Sequence, residues 1–171
     1  AIRTGLAELE IDINNSDLYL THLHSDHVGL AASIMPKDAT IYMGRVDYDY
    51  LMTSVTGSHW EDTDKAFLSH GFPQDKIIEL HTKNPARAFQ VAGTFEAVKL
   101  EDGDKFNVGD YEFKCIYVPG HTPGNTCLYY EKANLMFLGD HVLFDITPNI
   151  TAWFGVKDSL SSYIDSLKKI R

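Results

Sequence analysis

The chain has 171 residues, 44% hydrophobic and 23% charged, which is long enough to bury one core without disulfide or metal support and too ordinary for disorder or a fibrous architecture. Fifteen Lys and Arg against twenty-four Asp and Glu leave a net charge of −9, which opposes association with polyanions; a nucleic-acid partner is disfavoured unless metal ions reverse the potential of an acidic cleft. The cysteines, Cys115 and Cys127, suit a reducing cytoplasm better than a disulfide-stapled secreted fold, and the sequence carries neither a membrane-length apolar run nor a signal-peptide pattern.

Asp17 to Thr21, with Leu18, Tyr19 and Leu20, reads as a short buried strand that runs into His22-Leu-His-Ser-Asp-His27. Val28 to Met35 reads as a short helix stopped by Pro36, and Thr40 to Met43 as the next strand. From about 44 to 93 the pattern turns helical, with helices expected at Val46 to Thr53, Trp60 to His70 and Gln74 to His81, separated by Gly57, Gly71 and Pro73. Residues 94 to 138 show all-β patterning: a turn at Glu101 to Asp104, then strands Lys105 to Val108, Tyr111 to Val118, Thr126 to Tyr130 and Leu135 to Leu138. A final helix from Asp158 to Ile170 carries an apolar stripe of Leu160, Tyr163, Ile164, Leu167 and Ile170, with Asp158 as its cap. No repeat or linker divides the chain, so 1–171 reads as one domain with a helical insert over 44–93.

In an extended segment alternate side chains point the same way, so His22 and His24 can close on one metal ion. A turn at Ser25 brings Asp26 and His27 alongside. Imidazole nitrogen and carboxylate oxygen are ligands that zinc accepts and that also suit iron or manganese. Pro119-Gly-His121-Thr-Pro-Gly124 places another histidine in a rigid turn directly after a strand, and Phe137-Leu-Gly-Asp140 ends a buried strand in a carboxylate. Each of these alone is weak. Three strand ends that each deliver a metal-capable side chain to one sheet edge are a strong joint pattern.

The order H-x-H-x-D-H, then His in G-H-T-P-G, then Asp in L-G-D resembles the metallo-β-lactamase superfamily over essentially the whole chain. The resemblance implies an α/β (α+β) fold, a four-layer αββα sandwich that is incomplete at both termini. The family's early strands and D-x-G turn before His22, and its last histidine after the final helix, have no counterpart here. It implies two divalent metal ions, zinc first with iron or manganese as alternatives. His22, His24 and His121 would hold the first ion, Asp26 and His27 the second, and Asp140 would bridge them. It also implies a binuclear metallo-hydrolase that uses a metal-activated hydroxide, with Asp26 as the catalytic proton shuttle.

In the loop His141 to Trp153, Phe144, Ile146 and Trp153 can wall a substrate pocket, with Phe144 and Trp153 the substrate-binding choices. The helical insert would roof the site and bring Tyr48, His59 and Trp60 near substrate. The loop lacks the C-G-R stretch of glyoxalase II and the tyrosine of quorum-quenching lactonases. Asp140 in place of Cys argues against antibiotic hydrolysis, and Ser25 before Asp26 against a flavodiiron reductase. The reading is a hydrolase of a small ester, thioester or lactone, a small-molecule enzyme with no membrane partner, with a homodimer left open. The alternatives are an iron-dependent sulfur or redox member, an RNA or phosphodiester hydrolase, and a metal-binding module without turnover.

Overall fold

The computed structural model describes residues 2–57, 59–83, 88–153 and 155–171. In chain order its helices are α1 Ile2–Glu8, α2 Ser25–Val28, α3 Ala31–Ile34, α4 Arg45–Thr56, α5 His59–Ser69, α6 Gln74–Lys83 and α7 Ser159–Lys169. Its strands are β1 Leu18–Leu20, β2 Ile41–Gly44, β3 Val98–Leu100, β4 Lys105–Val108, β5 Tyr111–Tyr117, β6 Thr126–Tyr130 and β7 Leu135–Phe137. The first three form a parallel sheet in the order β1-β2-β3, and the last four an antiparallel sheet in the order β4-β5-β6-β7. Parallel neighbours need a crossover. Here α2 and α3 connect β1 to β2, and α4 to α6 lie between β2 and β3.

Strand periodicity decides how the layers meet. Leu18 and Leu20 of β1 and Ile41 and Met43 of β2 face the helical side, where they pack with Val28, Ala31, Tyr48, Leu51, Val91 and Phe95. The intervening Tyr19 and Tyr42, paired in register, face the antiparallel sheet and stack on Phe106 at 5.8 and 4.3 Å between centroids. The Tyr19 hydroxyl donates to Thr126 Oγ1 at 2.8 Å, and the Thr126 N–H donates to the Thr21 carbonyl at 2.9 Å. The two sheets are thereby joined at the ends that carry the histidines. Helix α7, capped by Asp158 accepting from the Ser161 N–H, lies against the antiparallel sheet's end: the Ser166 hydroxyl donates to the Pro119 carbonyl and Lys169 Nζ to the Tyr117 carbonyl. The result is an α/β sandwich of two facing sheets with helices outside.

Three elements differ from the sequence-based expectation. The expected helix Val28 to Met35 is two single turns, α2 and α3, flanking Gly29 and Leu30. Strand β3, which pairs with β2, falls within the all-β stretch 94 to 138 but is not among the strands expected there, because three residues are too few to display a period. Helix α1 buries no side chain, and its lack of a core-facing stripe is why periodicity does not reveal it. Among the described residues no helix is long and apolar enough to cross a membrane. Both cysteines are buried free thiols, Cys115 pushed up to about 11 and Cys127 to about 12 by burial.

Candidate metal centre

His22 follows β1 at a bend and His24 is extended, and α2 starts at Ser25 with His24 as its N-cap residue, which turns Asp26 and His27 back beside them. His121 comes from the turn between β5 and β6. Asp140 comes from the helical turn Gly139–His141 after β7. Gly139, at φ +52°, passes against Thr21, where a Cβ would collide with the threonine side chain, so that turn comes close to the end of β1 only as glycine.

The side chains gather into two triads that share His22. One ligand atom from each of His22, His24 and His121 lies within 4.8 Å of the other two, and the same holds for His22, His27 and Asp140. His22 Nε2 stands 3.1 Å from His24 Nδ1, and the His22 ring is 4.0 Å from that of His27. Asp140 reaches toward both triads, with Oδ1 3.4 Å from His27 Nε2 and Oδ2 3.7 Å from His121 Nε2. Asp26 belongs to neither triad. Its carboxylate lies 3.6 Å from His27 Nε2 and is 77% exposed.

The donor set fits a metal ion. His121 donates from Nδ1 to the Asn149 carbonyl at 2.7 Å, which leaves Nε2 as the ring nitrogen turned to the centre, buried and without a hydrogen-bond partner among the described residues. Thr21 Oγ1 stands 3.0 Å from His22 Nδ1 and occupies that edge of the ring in the same way. Burial, then the neighbouring His27, His24 and His121 rings, hold His22 down at about 2; burial and then His121 hold His24 at about 4. Both rings are therefore neutral near pH 7, as ligation requires.

Around the centre stand Trp153, already a candidate from its loop, and two residues that no motif announces, Asp47 and His141. Asp47, in the first turn of α4, is fully buried and accepts from the Leu23 N–H, the Thr122 hydroxyl and the Gly124 N–H. Burial pushes its carboxyl up to about 6 against the pull of those three donors. Trp153 stacks on His24 at 5.7 Å and donates from Nε1 to the His121 carbonyl at 3.1 Å, while Tyr50 makes a T-shaped contact with it at 5.5 Å. His141 sits outside both triads, buried against Tyr163, whose hydroxyl donates to the His141 carbonyl.

The expected substrate walls fare differently. Trp153 stacks on His24, whereas Phe144 and Ile146 are 92% and 68% exposed. Tyr48 is in the core and donates to the Phe95 carbonyl, and Trp60 bonds Gln90; the side chain of His59 lies outside the described residues. A cavity of about 340 Å³ lies behind the His121 turn, lined by Val46, Tyr117, Pro119, Trp153, Val156 and Lys157 among others. None of the clustered histidines lines it.

The family model for the metallo-beta-lactamase superfamily matches residues 16–171. A hydroxyacylglutathione hydrolase from Maricaulis maris is 26% identical over 148 residues, 78% of this chain and 54% of that protein. The acyl-coenzyme A thioesterase MBLAC2 from Bos taurus is 33% identical over 86 residues, 47% of this chain and 31% of that protein. Among solved structures, a metallo-beta-lactamase family protein from Thermus thermophilus superposes with a TM-score of 0.78 at 22% identity, over 98% of this chain and 55% of that one. The chain thus spans about half the length, or less, of the curated relatives it matches. It belongs to the metallo-β-lactamase superfamily.

Proposed function

We propose that this member of the metallo-β-lactamase superfamily is a metal-dependent hydrolase domain acting on small carbonyl substrates, with an acyl thioester as the first choice and esters or lactones close behind. The observation that carries the reading is the pair of triads joined through His22 and Asp140, a donor set for two adjacent divalent ions, with zinc the first choice. Two relatives support the substrate class: the names acyl-coenzyme A thioesterase and hydroxyacylglutathione hydrolase both describe removal of an acyl group from a thiol carrier. Divalent ions held by these side chains would lower the pKa of water toward neutrality and polarise the substrate carbonyl.

The protein's own groups take the remaining tasks. The His121 bond to Asn149 fixes which ring nitrogen faces the centre. Trp153, flat on His24, keeps water from that flank and offers an apolar surface to the acyl group. Asp26, exposed beside His27, can carry a proton on its carboxylate oxygen to the departing thiolate or alkoxide. The −9 charge, with no Lys or Arg between Phe144 and Trp153, disfavours a phosphodiester.

Elemental analysis with a metal count per chain, followed by a screen of chromogenic thioesters, esters, lactones and bis-nitrophenyl phosphate, tests the reading. Bound zinc and fastest turnover of a carbonyl substrate are expected. A phosphodiester as best substrate, or a steep fall of rate with salt, would overturn the substrate class. Bound iron without hydrolysis of any of these would overturn the reaction class.

A further inference from the structure

His22 and His24 stand about a hundred positions before His121, and neither loop can by itself set its distance from the other. Asp47 touches both. Its Oδ2 accepts from the Leu23 N–H at 3.0 Å and from the Thr122 hydroxyl at 2.6 Å, and its Oδ1 accepts from the Gly124 N–H at 2.5 Å. Leu23 lies between two ligands of the first triad, and Thr122 directly follows the third. One carboxylate thus ties together the two segments that supply all three imidazoles.

Its surroundings argue against a merely incidental acid. A buried charge is costly unless it is fully hydrogen-bonded, and the partners recorded for this one are donors from the two ligand loops, with no cation among them. In the first turn of α4 it also sits at the positive end of the helix dipole, yet none of those three bonds is to its own helix. Gly124 completes the fit: a Cβ there would collide with the Asp47 backbone nitrogen and crowd its carboxylate, so the turn can reach Asp47 only with glycine at that position. We infer that Asp47 is a positioning residue for the metal centre, clamping the His22–His24 loop to the His121 turn and so setting the spacing of the three imidazoles before an ion arrives.

This inference rests on the metal-binding reading, and the test separates the two. Asp47→Asn keeps shape and volume, but its amide NH₂ must face either the Gly124 N–H or the Leu23 N–H, so one loop loses a bond whichever way it turns. Thr122→Val removes one donor and keeps the charge; Thr122→Ser restores the hydroxyl. For each protein, zinc affinity is measured by competition with a chromophoric chelator, the cobalt-substituted visible spectrum is recorded, and amide hydrogen exchange of the metal-free chain is followed over 22–24 and 120–125.

Asp47→Asn should weaken the first ion by about 10–100-fold, the usual cost of losing an outer partner of a metal ligand. It should also alter the cobalt bands and speed exchange at Leu23 or Gly124. Thr122→Val should shift all three in the same direction by less, and Thr122→Ser should return them. If Asp47→Asn does not fold, the two Thr122 variants decide the matter alone. Wild-type binding of zinc and cobalt, with unchanged affinity and spectrum in folded Asp47→Asn, or Thr122→Ser no better than Thr122→Val, overturns the clamp and leaves the metal reading standing. A wild-type chain that binds neither ion overturns both.

Discussion

His22 and His121 are 0% and 4% exposed, and each has a ring edge occupied by a neighbouring oxygen; across the shared His22 ring, His27 and Asp140 are 29% and 28% exposed, and Asp26 is 77% exposed. In the buried half His22 and His24 are held neutral by burial, and the segments that carry the three imidazoles are joined by contacts from another part of the chain. The open half has two side chains and a carboxylate that face solvent. Burial and bracing make a site that holds an ion. Exposure makes one where substrate and protons can come and go. If both triads hold ions as proposed, this difference in burial predicts different tasks for them, and four measurements can break the contrast.

The largest effect is expected from the residue they share. His22→Ala should lose both ions and all turnover, with first-ion affinity down beyond the roughly 10–100-fold that an outer partner costs, while His27→Ala should lose only the more weakly held ion. Metal per chain after dialysis reads both variants. Equal losses from the two would show that the halves are one cooperative site.

Next is Asp26→Asn, for which kcat should fall by about 10²–10⁴, the range of a lost general acid or base, with zinc affinity of the buried triad unchanged. Undiminished hydrolysis of the best substrate would remove Asp26 from the reaction.

A smaller effect concerns pH and the metal-free chain. Burial holds His22 at about 2 and His24 and His141 at about 4, against an ordinary 6.5. The unfolded chain takes up protons that the folded one refuses, so this stability is fully present above about pH 6.5 and is lost as pH falls toward 4. Asp47, raised from 3.8 to about 6, works the other way between those values, one group against three. The thermal midpoint of the metal-free protein should therefore drop between pH 7 and pH 4.5. A midpoint that rose on acidification would show that Asp47 dominates.

The smallest is Trp153→Ala. A wall that touches ground and transition states alike contributes uniform binding, so KM should rise by about tenfold or less with kcat nearly unchanged. A kcat loss larger than the KM change would mean that the indole acts instead through its bond to the His121 carbonyl.

Much of this molecule could be read from its residues alone. The H-x-H alternation, the glycine-bracketed turn at His121 and the strand ending in Asp140 are local patterns, and local backbone geometry governs where such side chains point. They were enough to indicate the family and to nominate the residues that form both triads. The hairpin strands and the stripe of α7 were legible for the same reason. The clamp was not: Asp47 reads as an ordinary first-turn acid, and its partners lie 24, 75 and 77 positions away. Nor did a period reveal the three-residue β3, the exposure of Asp26 and Phe144, or the contacts of Trp153 with His24, Tyr50 and the His121 carbonyl. Sequence by itself determined which atoms can bind metal, because that is a property of side-chain type and short-range geometry. Only the tertiary structure decided their spacing, burial and protonation, because those depend on contacts between segments with no local signature of one another.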